Sequence, residues 1–125
     1  ETLTIAQNIG PNAKSIIVTT PQNVSLLDSK RSVKFAKLIN LKVLGIIENM
    51  SGFICDGCHK EVNIFKKGGA KKMAEDTGTK FLGSVPLDSN VVESCDNGTP
   101  FISNDSVASR NLNNIITEIL SELEK

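Results

Sequence analysis

The chain has 125 residues, enough for one domain with a hydrophobic core of its own. Hydrophobic residues make up 39% and charged residues 22%, the balance of an ordinary globular protein, and 14 basic residues offset 14 acidic ones. That neutrality argues against a nucleic-acid surface, which carries a basic excess, and no apolar run approaches the roughly 20 residues that cross a bilayer.

In chain order, "ETLTIAQNIG" (Glu1 to Gly10) reads as the second half of a helix. "SIIVTT" (Ser15 to Thr20) is a β-branched apolar run, followed later by "KVLGIIENM" (Lys42 to Met50) and "KFLGSVP" (Lys80 to Pro86). Continuous runs of this kind suit strands buried on both faces. Between the first two, Val24, Leu27, Phe35, Leu38 and Ile39 share one face of a helix predicted from Val24 to Asn40. Asp28 and Arg31 interrupt that face and are spaced to pair with each other. Gly69 to Thr77 predicts a shorter helix stopped by Gly78, and Asn90 to Asn97 a further one. Leu112, Ile115, Ile116, Ile119 and Leu123 form the stripe of a last helix, capped by Asp105 or Ser106.

Strands alternating with helices make βαβ units and a parallel sheet. The expected fold class is α/β, a partial doubly wound parallel sheet. Three strands are few for such a sheet, so residues 1–125 are expected to be part of a larger domain.

One segment breaks the rhythm. Between the second strand and the next helix lies an insert, Ser51 to Phe65. Within it "FICDGCHKEVNIF" (Phe53 to Phe65) flanks a C-x-x-C turn with apolar residues, the pattern of a hairpin whose tip holds two thiolates. Three cysteines are an odd set, unlike a disulfide framework, and no charged-then-apolar leader is seen. A reducing, cytoplasmic setting is expected. The N-x-S/T matches at Asn23, Asn49, Asn97 and Asn104 are then chance.

"CDGCH" (Cys55 to His59) also fits the haem-attachment pattern, which needs export and an axial ligand. A redox dithiol needs the first cysteine at a helix N-terminus, whereas "HKEVNIF" alternates like a strand. A self-contained zinc site would recruit His59 or Cys95. His59 adjoins Cys58 and is poorly placed for the same ion, so it reads as a solvated loop residue. Cys95 reads as a small half-buried residue on the Asn90–Asn97 helix. Two copies of the chain, each giving Cys55 and Cys58, would supply four thiolates, which suit either Zn²⁺ or a [4Fe–4S] cluster. Ligand chemistry leaves those two open.

"TTPQ" (Thr19 to Gln22), "GIIENMS" (Gly45 to Ser51), the C-x-x-C insert, Gly68–Gly69 ahead of a helix and "GSVPLD" (Gly83 to Asp88) are weak singly and specific together. From Glu1 to about Phe101 the chain resembles the C-terminal half of the Mrp/ApbC family. These are P-loop ATPases similar to MinD and the nitrogenase iron protein, which carry or scaffold iron–sulfur clusters. The resemblance implies a MinD-like P-loop NTPase fold, with residues 51–65 as a metal-binding insert. It implies that Cys55 and Cys58 ligate a [4Fe–4S] cluster bridging a homodimer, and that apo iron–sulfur proteins receive it. It also implies that Asn49 hydrogen-bonds the adenine of ATP and that Pro86 lies beside the base. An amide suits that task, because it offers a donor and an acceptor together.

The family's phosphate-binding loop, of K-G-G-x-G-K-S/T type, has no counterpart here. "KKGGAKK" (Lys66 to Lys72) lacks the spacing and does not directly follow a strand, so its GG reads as a loop–helix junction. ATP and Mg²⁺ are therefore expected to belong to a longer protein, with this chain inactive alone. The alternatives are a zinc-binding dimerisation module and half of a MinD-like regulatory ATPase. A basic amphipathic tail would mark membrane targeting, but "ITEILSELEK" carries three Glu and one Lys.

Overall fold

The computed structural model describes residues 1–125. Along the chain run α1 (Thr2–Ile9), β1 (Lys14–Thr19), α2 (Asn23–Leu38), β2 (Lys42–Glu48), β3 (Phe53–Ile54), β4 (Glu61–Val62), α3 (Gly69–Thr77), β5 (Phe81–Ser84), α4 (Ser89–Asp96) and α5 (Val107–Leu123). The three β-branched runs pair as one parallel sheet in the order β1–β2–β5, while β3 and β4 form a separate antiparallel hairpin. This is the α/β class that the alternation of elements predicts. No helix is long and apolar enough to cross a membrane.

Successive residues of a strand point to opposite faces. Ile46 is buried under α2 and α3 with Val33, Ala70, Met73 and Ala74. Its neighbour Ile47 packs on the other side with Leu82, Val85, Ala108 and Ile115. Burial on both faces thus holds for β2, but not for β1, whose Val18 is 58% exposed.

The face assigned to α2 is a correction. Val24, Leu27, Phe35 and Leu38 point outward, and the helix buries Val33 and Ala36 instead. α2 packs against β1, β2 and α3 together, and small side chains permit that close approach. Local signals fared better. Asp28 and Arg31 meet at 3.5 Å on the surface. Gly78 ends α3 in the left-handed conformation at φ 62°, and the Ser106 hydroxyl caps α5 by accepting from Ser109 N at 3.1 Å. Asp105, the other candidate cap, pairs with Arg110.

The sheet closes tightly at Gly45. A Cβ there would lie 2.4 Å from Leu82 Cγ and 2.8 Å from the Lys80 carbonyl oxygen. That carbonyl cannot retreat without loosening its 2.8 Å bond from Ile46 N. Gly45→Ala should therefore cost about 1–3 kcal/mol of stability, as overpacked sites do. Urea unfolding checks it: an unchanged midpoint would contradict this packing.

Candidate metal centre and the loops beside it

β2 ends at Glu48 and the chain turns sharply. Asn49 donates its N–H to the Thr19 carbonyl at 2.7 Å, and its Oδ1 accepts from Met50 N at 2.9 Å. The outgoing backbone then runs beside the loop that follows β5. Val85 N donates to Glu48 O at 2.8 Å, Ser51 N to Val85 O at 3.0 Å, and Leu87 N to Gly52 O at 2.8 Å. Asn49 and Pro86 are thereby set at the C-terminal ends of neighbouring parallel strands, where open α/β sheets bind ligands. They border two different clefts. Asn49 borders a shallow cleft with Thr19, Thr20, Ser25 and Asp28. Pro86 borders a cleft between the hairpin and the starts of α4 and α5, with Phe53, His59, Asp88 and Arg110.

The hairpin itself is short, with Phe53 opposite Val62 and Ile54 opposite Glu61. Its tip closes through Cys55 N to Lys60 O at 3.1 Å and His59 N to Cys55 O at 2.8 Å. His59 takes the left-handed conformation at φ 55° and is exposed. Cys55 is half-buried and Cys58 exposed. The turn aims backbone donors at the first sulfur. The Cys58 N–H, then the Gly57 N–H, then the Cys58 thiol hold the Cys55 thiol below the ordinary cysteine range, against opposition from desolvation and the Asp56 carboxylate. Hydrogen bonds to the charged form favour thiolate, the form that binds metal.

Nowhere in the chain do three His, Cys, Asp or Glu side chains gather as a metal-holding set. One chain offers two thiolates at this tip. Cys95 is exposed on α4 rather than half-buried, because the single buried residue of that helix is Ser94.

Sequence reasoning missed Glu48. It is 1% exposed at the end of β2. Its Oε1 accepts from Ser51 Oγ at 2.6 Å and from Gly68 N at 2.8 Å, and its Oε2 accepts from Ala70 N at 2.7 Å. The available signal was a lone carboxylate closing an apolar strand just before an insert. Gly68 and Gly69 form the expected loop–helix junction, Gly68 at φ 86°. Two N–H groups at this helix start, those of Gly68 and Ala70, are taken by Glu48.

Fold and strand-end loops together define a MinD-like P-loop ATPase architecture. The MinD cell-division ATPase of Pyrococcus furiosus superposes with a TM-score of 0.66 at 17% identity, over 86% of this chain and 42% of that one. A nucleotide-binding protein of Archaeoglobus fulgidus, solved in complex with ADP, superposes with a TM-score of 0.65 at 32% identity, over 77% of this chain and 39% of that one. Residues 1–120 match a family profile described as ParA, the NUBPL iron-transfer P-loop NTPase. An iron–sulfur cluster carrier protein of Methanocaldococcus jannaschii is 46% identical over 99% of this chain and 43% of its own length. The cytosolic Fe–S cluster assembly factor NUBP2 of Bos taurus is 44% identical over 86% of this chain and 41% of its own length. The chain belongs to this family of iron-transfer P-loop NTPases. It spans less than half the length of these relatives.

The tip geometry has a pH consequence. A lowered Cys55 value means that thiolate persists to lower pH than in a free cysteine. In the metal-free chain, iodoacetamide should modify Cys55 with a pH midpoint below that of an unstructured peptide of the same sequence. Asp56→Asn should lower the midpoint further, because the Asp56 carboxylate opposes the thiolate. A midpoint at or above that of the peptide would contradict the turn geometry.

Proposed function

We propose that this chain is the C-terminal part of an iron–sulfur cluster carrier that holds one [4Fe–4S] cluster between two copies and delivers it to apoproteins. One observation carries the reading: Cys55 and Cys58 stand together at the tip of a short hairpin, the first half-buried and the second exposed, with no further ligand beside them. Two thiolates are half of a four-ligand set, and a two-fold axis through two tips supplies the other half. The cluster is cargo, so an accessible tip suits both loading and release. The names borne by the relatives support an iron–sulfur cargo and a cytoplasmic seat. No membrane or nucleic acid enters this reading.

In the same proposal Asn49 reads the adenine and Pro86 flanks the base in a longer protein that binds ATP and Mg²⁺. Their place at adjacent strand ends supports this.

Anaerobic reconstitution with iron and sulfide tests the cargo. The chain should gain the broad thiolate-to-iron absorption of a cluster. Cys55→Ser and Cys58→Ser should abolish it, while Cys95→Ser keeps it. A chain that takes up zinc but never iron and sulfide would replace this reading with a zinc-linked dimer. For the base, Asn49→Ala in a protein that also carries a phosphate loop should weaken ATP binding by about 1–3 kcal/mol, the cost of a polar partner left unpaired. It should also narrow the preference over GTP. An unchanged ATP-to-GTP ratio would return Asn49 to a purely structural role.

A further inference from the structure

A carboxylate buried in a sheet is costly unless its acceptor positions are filled. Glu48 has them filled from one direction. Ser51 lies where the chain enters the insert, Gly68 lies where it leaves, and Ala70 is in the first turn of α3. A single carboxylate therefore draws the two stems of the insert together.

The exit stem has little else to fix its path. Met50 and Lys66 adopt φ of 54° and 71°, and Gly52 and Gly68 φ of 77° and 86°. The left-handed conformation is unfavourable for residues such as Met and Lys, and persists where surroundings impose it. The entry stem has two backbone bonds to the loop after β5. The exit stem, residues 63–68, has Lys66 N to Asn63 O and the Lys67–Glu61 pair, both of which tie it back to the hairpin rather than to the sheet. Its hydrogen bond to the sheet is Gly68 N to Glu48.

We infer that Glu48 is the positioning residue of the cysteine hairpin, its carboxylate setting the angle at which Cys55 and Cys58 stand on the end of β2. This rests on the reading that those cysteines hold the cargo. Glu48 touches neither sulfur, so it acts through the stems. A half-site must meet its twin in one orientation, and a hairpin free to swing loses affinity for a shared ion. The adjoining residue, Asn49, starts the loop bearing the proposed base contact, so the stem and that loop are fixed at one point.

Two variants and two readouts test this. Glu48→Gln keeps the shape but turns an amide N–H₂ toward a backbone donor. Ser51→Ala deletes the entry-stem bond alone and leaves the Gly68 and Ala70 bonds intact. In the metal-free chain, amide exchange at Gly68 should speed about tenfold or more in Glu48→Gln, and at Leu87 in Ser51→Ala, with α5 amides unchanged. Co²⁺ titration, read by thiolate-to-cobalt absorption, should show affinity about 10–100-fold lower, the usual effect of losing an outer supporting group. Ser51→Ala should melt as the parent does. If Glu48→Gln fails to fold, Ser51→Ala decides. Parent-like stem exchange and parent-like Co²⁺ affinity in the folded variants would overturn the inference. If the parent itself binds no Co²⁺ through Cys55 and Cys58, the cargo reading falls, and the exchange arm still decides the role of Glu48.

Discussion

Strand β2 has both edges paired and both faces covered, so the chain can leave the sheet there in one direction only. Leu44, Ile46, Ile47 and Glu48 are each less than a tenth exposed, and β1 and β5 fill its two sides. At the C-terminal end the Asn49 turn, the first stem of the hairpin and the start of α3 converge. A hairpin of two-residue strands is marginal by itself. Its order is borrowed from the sheet through Glu48 and the Val85–Leu87 backbone, and the cysteines inherit that order.

The same end of the sheet explains what the GG junction does. A helix N-terminus with a preceding glycine is a ready anion site, and the start of α3 is such a place. Its donors at Gly68 and Ala70 are spent on an internal carboxylate. Those two N–H groups anchor the insert. The ionic contacts elsewhere serve the surface. Lys80 bridges Glu118 and Glu122 at 2.8 and 2.7 Å, raising its own value and lowering that of Glu122, which tethers α5 to the strand it covers.

Local chemistry was legible in the sequence wherever one residue decides the outcome. Gly78 stops α3 because glycine tolerates the left-handed turn, and Ser106 opens α5 because its hydroxyl reaches the Ser109 N–H. The hairpin was legible because C-x-x-C interrupts an otherwise regular alternation. Long-range choices were not. The aliphatic residues of α2 favour the Leu27–Leu38 side, yet packing against two strands and a helix selects Val33 and Ala36, whose small size has no signature in periodicity. Glu48 escaped notice for the same reason: its three partners come from residues 51, 68 and 70, and only the fold brings them together.

The central claim is that one chain carries half a cluster site. Native mass spectrometry of the anaerobically reconstituted protein addresses it directly, since cluster count and subunit count appear in one spectrum. The account predicts a species of two chains with one [4Fe–4S], falling to apo monomer when the cluster is removed. A complete cluster on a single chain, or a dimer that survives unchanged without it, would contradict the shared site.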